Sequence, residues 1–171
     1  MSRAPTFDEA IAFDLNGMVV ENITIRSFVL PGDRFFKIRF LPGAVDTLAA
    51  LKRAYPKLYI VTRCVPWLRP ISRLHLRCRR FYKRTGIQYR DVIYCSGRGS
   101  KAPICERLGI TRFFDDRLEV LASLTSVPHR YLFQGREYEI ARQPDYQNKL
   151  KTVERLESWR EIEVLLLRAL E

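Results

Sequence analysis

The chain has 171 residues, 47% hydrophobic and 29% charged, with a formal net charge of +11. A domain of this size buries a core without disulfide or metal staples, and its balance is that of a globule rather than a disordered segment. No run approaches the ~18 apolar residues of a membrane span, and the opening MSRAPTFDEA lacks the basic-then-apolar order of a secretory signal. A cytoplasmic protein without a membrane segment is expected. Cys64, Cys78, Cys95 and Cys105 form no C-x-x-C pair and only two histidines accompany them, which argues against zinc and against a disulfide framework. Cys64 and Cys95 sit in or beside apolar runs and read as small buried hydrophobes. The positive charge is mostly arginine, 23 Arg against 7 Lys. That skew suits a GC-rich genome as well as it suits anionic partners drawn in by long-range steering.

In chain order, Ile11-Ala12-Phe13 is a short apolar run of the kind that forms a central parallel strand, and it leads into the polar turn Asp14-Leu15-Asn16-Gly17. Met18 to Phe40 reads as a hairpin, VENITIRSFVL and RFFKIRF around Pro31-Gly32-Asp33. Pro42-Gly43 opens a helix with Val45, Leu48, Leu51 and Tyr55 at helical spacing. Leu58 to Val61 is a second buried strand, ending at Thr62. One helix is expected over Pro66 to Thr85, a third strand over Asp91 to Cys95, and a helix from about Ser100. Arg112 to Phe114 gives a fourth strand ending in Asp115-Asp116, Leu118 to Leu124 a short helix, and Arg130 to Phe133 a fifth strand. Gln134 to Asn148 looks irregular and exposed. Ser158-Trp159-Arg160-Glu161 is a capping box ahead of an apolar helix, Ile162 to Leu170, and a strand and helix share residues 150–170. This alternation predicts one α/β domain, residues 1–171: a three-layer sandwich with a doubly wound parallel sheet, a small β-hairpin flap and no cap domain.

Ligands of open α/β sheets bind at the carboxyl ends of the strands. The polar residues there are Asp14, Thr62, Asp115 and Asp116, with Lys101 beyond the third strand. Three carboxylates without His or Cys make a hard, oxygen-lined site suited to Mg²⁺. Such an ion and Lys101 would together neutralise a phosphoryl group while one aspartate attacks it. Each residue also has a plainer role: Asp14 as a turn residue, Thr62 as a strand-end residue, the aspartate pair as a helix cap, and Lys101 as a solvated lysine. A cation in a first helical turn opposes the helix dipole, however, so Lys101 calls for an anion.

The ordered set Phe13-Asp14-Leu15-Asn16-Gly17-Met18-Val19, Leu58-Tyr59-Ile60-Val61-Thr62, Lys101 and Phe113-Phe114-Asp115-Asp116 resembles the four motifs of the haloacid dehalogenase superfamily, most of whose members are aspartate-dependent phosphatases. The set frames residues 11–133. The resemblance implies that Asp14 is the nucleophile, forming an aspartyl-phosphate, and also a metal ligand. The Asn16 carbonyl and Asp116 would complete the ligands, with Asp115 supporting the site. Thr62 would bind the phosphoryl oxygens, and Lys101 would hold nucleophile and phosphate together. Asn16 departs from the pattern, which has a second aspartate there as general acid and base. Asparagine moves no proton at neutral pH, and the function it replaces is worth ~10²–10⁴ in rate. A slow or specialised enzyme, a protein that only binds phosphorylated ligands or nucleic acid, and a substitution introduced to trap a complex all fit this change. The short insertions leave no room for the lid domains of many members, which implies an open site for a large or polyanionic phosphorylated substrate.

The helix expected after Thr62 carries an apolar stripe, Trp67, Ile71, Leu74, Cys78 and Phe81. A basic stripe lies on roughly the opposite face, Arg69, Arg73, Arg77, Arg80 and Arg84, widened by Arg79 and Lys83. The first is expected to pack on the core. The second reads as a surface for nucleic acid or another polyanion, or as a solvated basic face.

Overall fold

In the computed structural model, residues 8–21, 38–97, 99–135, 140–142 and 145–168 are described. The run Ala10–Phe13 forms β1. The left-handed Gly43 (φ 78°) turns the chain into α1, Ala44–Ala54. A Cβ at Gly43 would lie 3.3 Å from the Trp159 Cβ, so glycine also allows the close approach. Then come β2, Leu58–Arg63, a 3₁₀ turn at Pro66–Leu68, α2, Arg69–Cys78, and α3, Phe81–Thr85. The second half of the chain supplies β3, Val92–Cys95, α4, Lys101–Leu108, β4, Ile110–Asp115, and α5, Leu118–Ser123. It closes with β5, His129–Phe133, α6, Tyr146–Leu150, β6, Glu154–Leu156, and α7, Trp159–Leu167. The expected capping box forms in half: the Glu161 N–H donates to the Ser158 hydroxyl oxygen at 3.2 Å, but the Glu161 carboxylate accepts from the Glu157 N–H at 3.0 Å, one residue before the cap.

The six strands are all parallel, in the order β3-β2-β1-β4-β5-β6. Strand periodicity divides the core in two. Ile11 and Phe13 face a cluster built with Leu48, Leu51, Leu76, Phe81, Trp159 and Ile162. Ala10 and Ala12 face the other cluster, with Cys105, Leu118 and Leu121. α1, α2, α3 and α7 therefore cover one face and α4 and α5 the other, as a doubly wound sheet requires. An aromatic row stiffens the centre: Phe114 stacks on Phe13 at 4.6 Å and on Tyr131 at 4.4 Å, and Trp159 lies 5.3 Å from Phe13.

The hairpin expected after Gly17 falls mostly on residues 22–37, outside the described residues. Its described ends do pair antiparallel, the Glu21 N–H to the Arg39 carbonyl at 3.0 Å and the Leu41 N–H to the Val19 carbonyl at 2.9 Å. The residues between β2 and β3 pack as part of the helical layer, with Phe81 and Leu76 in the core.

Two sequence expectations need correction. Residues 66–85 are not one helix: the chain breaks at Arg79-Arg80, where Arg80 takes a left-handed conformation (φ 57°). That backbone costs about 1–2 kcal/mol, and it sends Phe81, fully buried, into the core for about 1.5–3 kcal/mol. The apolar stripe is also buried only at its Phe81 end. Leu68, His75 and Leu76 are buried, whereas Trp67 and Leu74 are 59% and 53% exposed and Cys78 is exposed. Among the described residues no helix is long and apolar enough to cross a membrane.

Candidate active site

The switch point of the sheet lies between β1 and β4, where the chain's crossovers change direction, and crevices for ligands open at such points. β1 and β4 pair with Phe13 opposite Phe114, so Asp14 and Asp115 follow at matching positions on neighbouring strands. The Asp14 N–H still donates to the Phe114 carbonyl at 2.9 Å, which extends the ladder one residue and fixes where the carboxylate emerges. On the other side of β1, β2 brings Thr62 to the same edge, with 1% of its surface exposed. Beyond Asp14, Gly17 is left-handed (φ 80°). It closes a turn in which its N–H donates to the Val20 carbonyl at 2.8 Å. The Trp159 indole N–H anchors this turn through the Met18 carbonyl at 2.8 Å.

Lys101, the first residue of α4, completes the group from the opposite helical layer. Its ammonium donates to Asp14 Oδ1 at 2.6 Å and to Asp115 Oδ2 at 2.7 Å. The anions that offset its unfavourable place in the first helical turn are thus these two carboxylates. Burial works to lower the Lys101 pKa, but Asp115 and then Asp14 outweigh it and hold the ammonium above its ordinary range. Burial pushes the Asp115 carboxyl up. Lys101 opposes that shift, while the negative charges of Asp14 and Asp116 add to it. One ammonium is thus shared by two carboxylates, Asp14 and Asp115. Asp115 has both oxygens engaged, since Oδ1 accepts from the Arg117 N–H at 2.9 Å. Of the three ion-paired side chains, Asp14 is 9% exposed against 3% for Lys101 and 1% for Asp115. Asp14 is the member that reaches solvent.

The structure thus brings Asp14, Lys101 and Asp115 into direct contact, with Thr62 at the same sheet edge, Asp116 next in the chain, and Asn16 in the turn. No group of three His, Cys, Asp or Glu side chains converges as a ready cation cage among the described residues.

Two neighbours of the site differ in how legible they were: Cys95 is buried as the sequence suggested, and the role of Arg69 was not foreseen. Cys95, at the end of β3, donates its thiol to the Thr62 carbonyl at 3.5 Å. Burial raises its pKa against the pull of Lys101, so it acts as a neutral packing group. Arg69, expected on a solvated stripe, instead reaches Ser96 Oγ at 2.8 Å and the Cys64 carbonyl at 3.3 Å. It ties the loop after β2 to the loop that leads into Lys101. Arginine at a helix start gives no local sign of such a bridge.

No family model matches the sequence, and no curated protein matches it either. Solved structures do. A haloacid dehalogenase-like hydrolase from Burkholderia xenovorans LB400 aligns over 97% of this chain and 100% of its own, with TM-score 0.63 and 12% identity. A HAD family hydrolase from Deinococcus radiodurans R1, solved with bound phosphate and sodium, aligns over 95% and 96% with TM-score 0.61 and 14% identity. A HAD-like phosphatase from Mesorhizobium loti aligns over 99% and 90%, with TM-score 0.57 and 17% identity. The strand order, the place of Asp14 at the switch point and these likenesses agree: the chain has the haloacid dehalogenase-like fold.

Proposed function

We propose that this chain is a Mg²⁺-dependent phosphohydrolase that works through an aspartyl-phosphate on Asp14, with a large or polyanionic phosphorylated molecule as substrate. The observation that carries the reading is the Lys101 ammonium seated between Asp14 and Asp115, with Asp14 the least buried of the three. Lys101 holds the Asp14 carboxylate in one orientation and places positive charge where a transferring phosphoryl group gathers negative charge. One Asp14 oxygen attacks phosphorus and forms the O–P bond as the ester oxygen departs; water later cleaves the acyl-phosphate and releases inorganic phosphate. Thr62, at the same sheet edge, would offer its hydroxyl to the phosphoryl oxygens.

The donor set suits a hard divalent cation. It is all oxygen, it carries excess negative charge, and Mg²⁺ needs only one or two carboxylates because it keeps waters and takes substrate oxygens. Asp14, the Asn16 carbonyl and Asp116 would hold the ion, with Asp115 committed to Lys101 and to the Arg117 backbone. Bound there, the cation supplies charge neutralisation for the phosphoryl group.

Asn16 shapes the kinetics. It neither protonates the leaving oxygen nor takes a proton from water, so poor leaving groups should react slowly and the second step should be slow for every substrate. With 4-nitrophenyl phosphate and Mg²⁺ the expected result is a burst of nitrophenol, a slow steady state, a phosphoryl adduct on Asp14 by mass spectrometry, and loss of all three in EDTA. Asn16→Asp should remove the burst and raise steady turnover by about 10²–10⁴. If Asn16→Asp neither turns over nor binds Mg²⁺ at millimolar concentration, the pocket is a binding site for phosphorylated ligands and not an enzyme centre.

A further inference from the structure

Between Asp46 and Asp91 the chain has no acidic residue and twelve basic ones, while all other positions together carry 18 basic against 19 acidic groups. The whole net charge of +11 therefore resides in this one segment. A genome-wide arginine bias would spread it along the chain. The structure gathers much of that charge on α2, α3 and the turn joining them. Arg77, Arg79, Arg80, Lys83 and Arg84 are exposed, and none is paired with an acidic side chain among the described residues. Like charges at this spacing repel; the Phe40 ring, 6.0 Å from the Arg79 guanidinium and 5.8 Å from that of Arg84, offsets a part of this, and no carboxylate among the described residues does.

The same surface exposes aromatic and apolar side chains that the core does not use. Trp67 and Tyr89 are each 59% exposed, and Leu74 is 53% exposed. Trp67, Leu74 and Arg77 share the outward face of the 3₁₀ turn and α2. Arg73 carries the surface on to Tyr89: its guanidinium lies 3.8 Å from the Tyr89 ring and 4.9 Å from that of Tyr94, and it donates to the Tyr89 and Val92 carbonyls at 3.2 and 3.3 Å. Arg73 is thus a fixed structural clamp, and the arginines left for a ligand lie beyond it.

From this arrangement we infer that the outward face of α2 and α3 binds single-stranded nucleic acid, with Trp67 as a stacking platform and Arg77, Lys83 and Arg84 on the phosphates. Exposed rings interleaved with unpaired cations are what single strands use: bases stack on the rings and the backbone follows the charge. A second copy of this chain is the wrong occupant, because it would press two uncompensated basic faces together. An acidic protein would satisfy the charge and leave the rings without a role. The inference is independent of the chemistry at Asp14.

Trp67 makes the test direct, because the only other tryptophan, Trp159, is 2% exposed. The full chain is titrated with an oligothymidylate while tryptophan emission and the anisotropy of a labelled oligonucleotide are followed from 50 to 300 mM salt. The expected result is quenching of the exposed emission and an affinity that falls steeply with salt. Arg77→Gln, Lys83→Gln and Arg84→Gln together should make the log–log salt slope shallower by roughly 0.7 per phosphate contact removed. Trp67→Ala should weaken binding about 5- to 100-fold and leave the slope unchanged. Aryl-phosphate turnover should be the same in both variants. Binding without quenching would overturn the stacking assignment. Equal competition by polyglutamate of matched charge would move the surface to acidic proteins. No binding at 50 mM salt would return it to a solvated basic face.

Discussion

Near the start of β4, Arg112 is completely buried, with Glu9 and the Tyr131 hydroxyl as partners. Three residues on, at the other end of the same strand, Asp115 is 1% exposed and meets Lys101. Both are buried ion pairs on one strand, yet their charge counts differ. Arg112 meets the Glu9 carboxylate and a neutral hydroxyl, so in that pair cation and anion match one to one. The Lys101 group sets one cation against Asp14 and Asp115, with Asp116 adding a further negative charge to their surroundings. Burial of a charge therefore does not mark a functional site by itself. A buried group whose partners leave a surplus of one sign does, because only a ligand of the other sign completes it.

Five substitutions sharpen or break that contrast. The largest effect is expected from Asp14→Asn, which should take aryl-phosphate turnover to the uncatalysed background and abolish the phosphoryl adduct, with the fold intact by circular dichroism. Retained turnover would show that the surplus carboxylate is not the nucleophile.

Next come Arg112→Met and Lys101→Met, each expected to cost about 3–5 kcal/mol in urea unfolding because a buried carboxylate loses its cation. The two should part company with added metal. Millimolar Mg²⁺ should recover part of the stability of Lys101→Met, where Asp14 and Asp115 both lose their ammonium, and none of that of Arg112→Met. Equal recovery, or none in either, would remove the distinction between the two ends of β4.

A smaller change is expected for Tyr131→Phe. It removes a hydroxyl that accepts from the Arg112 guanidinium and should cost about 1.5–3 kcal/mol, with turnover per folded molecule unaltered. Lost turnover would mean that the closed pair also serves the site.

The smallest effect concerns pH. His129 stands opposite Arg112 in the β4–β5 register, and burial, then the Arg112 charge, hold its imidazole below the ordinary value of 6.5. As pH falls through 6.5 the unfolded chain takes up a proton that the folded chain resists, so stability is complete above that pH and declines below it. His129→Gln should flatten this part of the decline in urea midpoints between pH 7 and 5, and an unchanged profile would assign it to other groups.

What the amino-acid sequence determined by itself was everything that depends on neighbouring residues. Apolar runs such as Ile11–Phe13, Leu58–Val61 and Phe113–Phe114, each followed by a polar residue, announced buried parallel strands and the sheet edge that gathers Asp14, Thr62 and Asp115. Helical spacing located α1, and Ser158 with Glu161 located the start of α7. In residues 66–85 the same logic failed. An apolar and a basic stripe are equally periodic, and periodicity does not say which one meets the sheet. The break at Arg80 also depends on Phe81 finding the core, a contact no local pattern contains. The chemistry divides likewise. Asp14, Lys101 and Asp115 were legible as candidates, but their contact required the β1–β4 register and the packing of α4. Only tertiary structure turned Arg69 and Arg73 into internal clamps and left Trp67 outside, because burial, pairing and surplus charge are properties of residues distant in the chain.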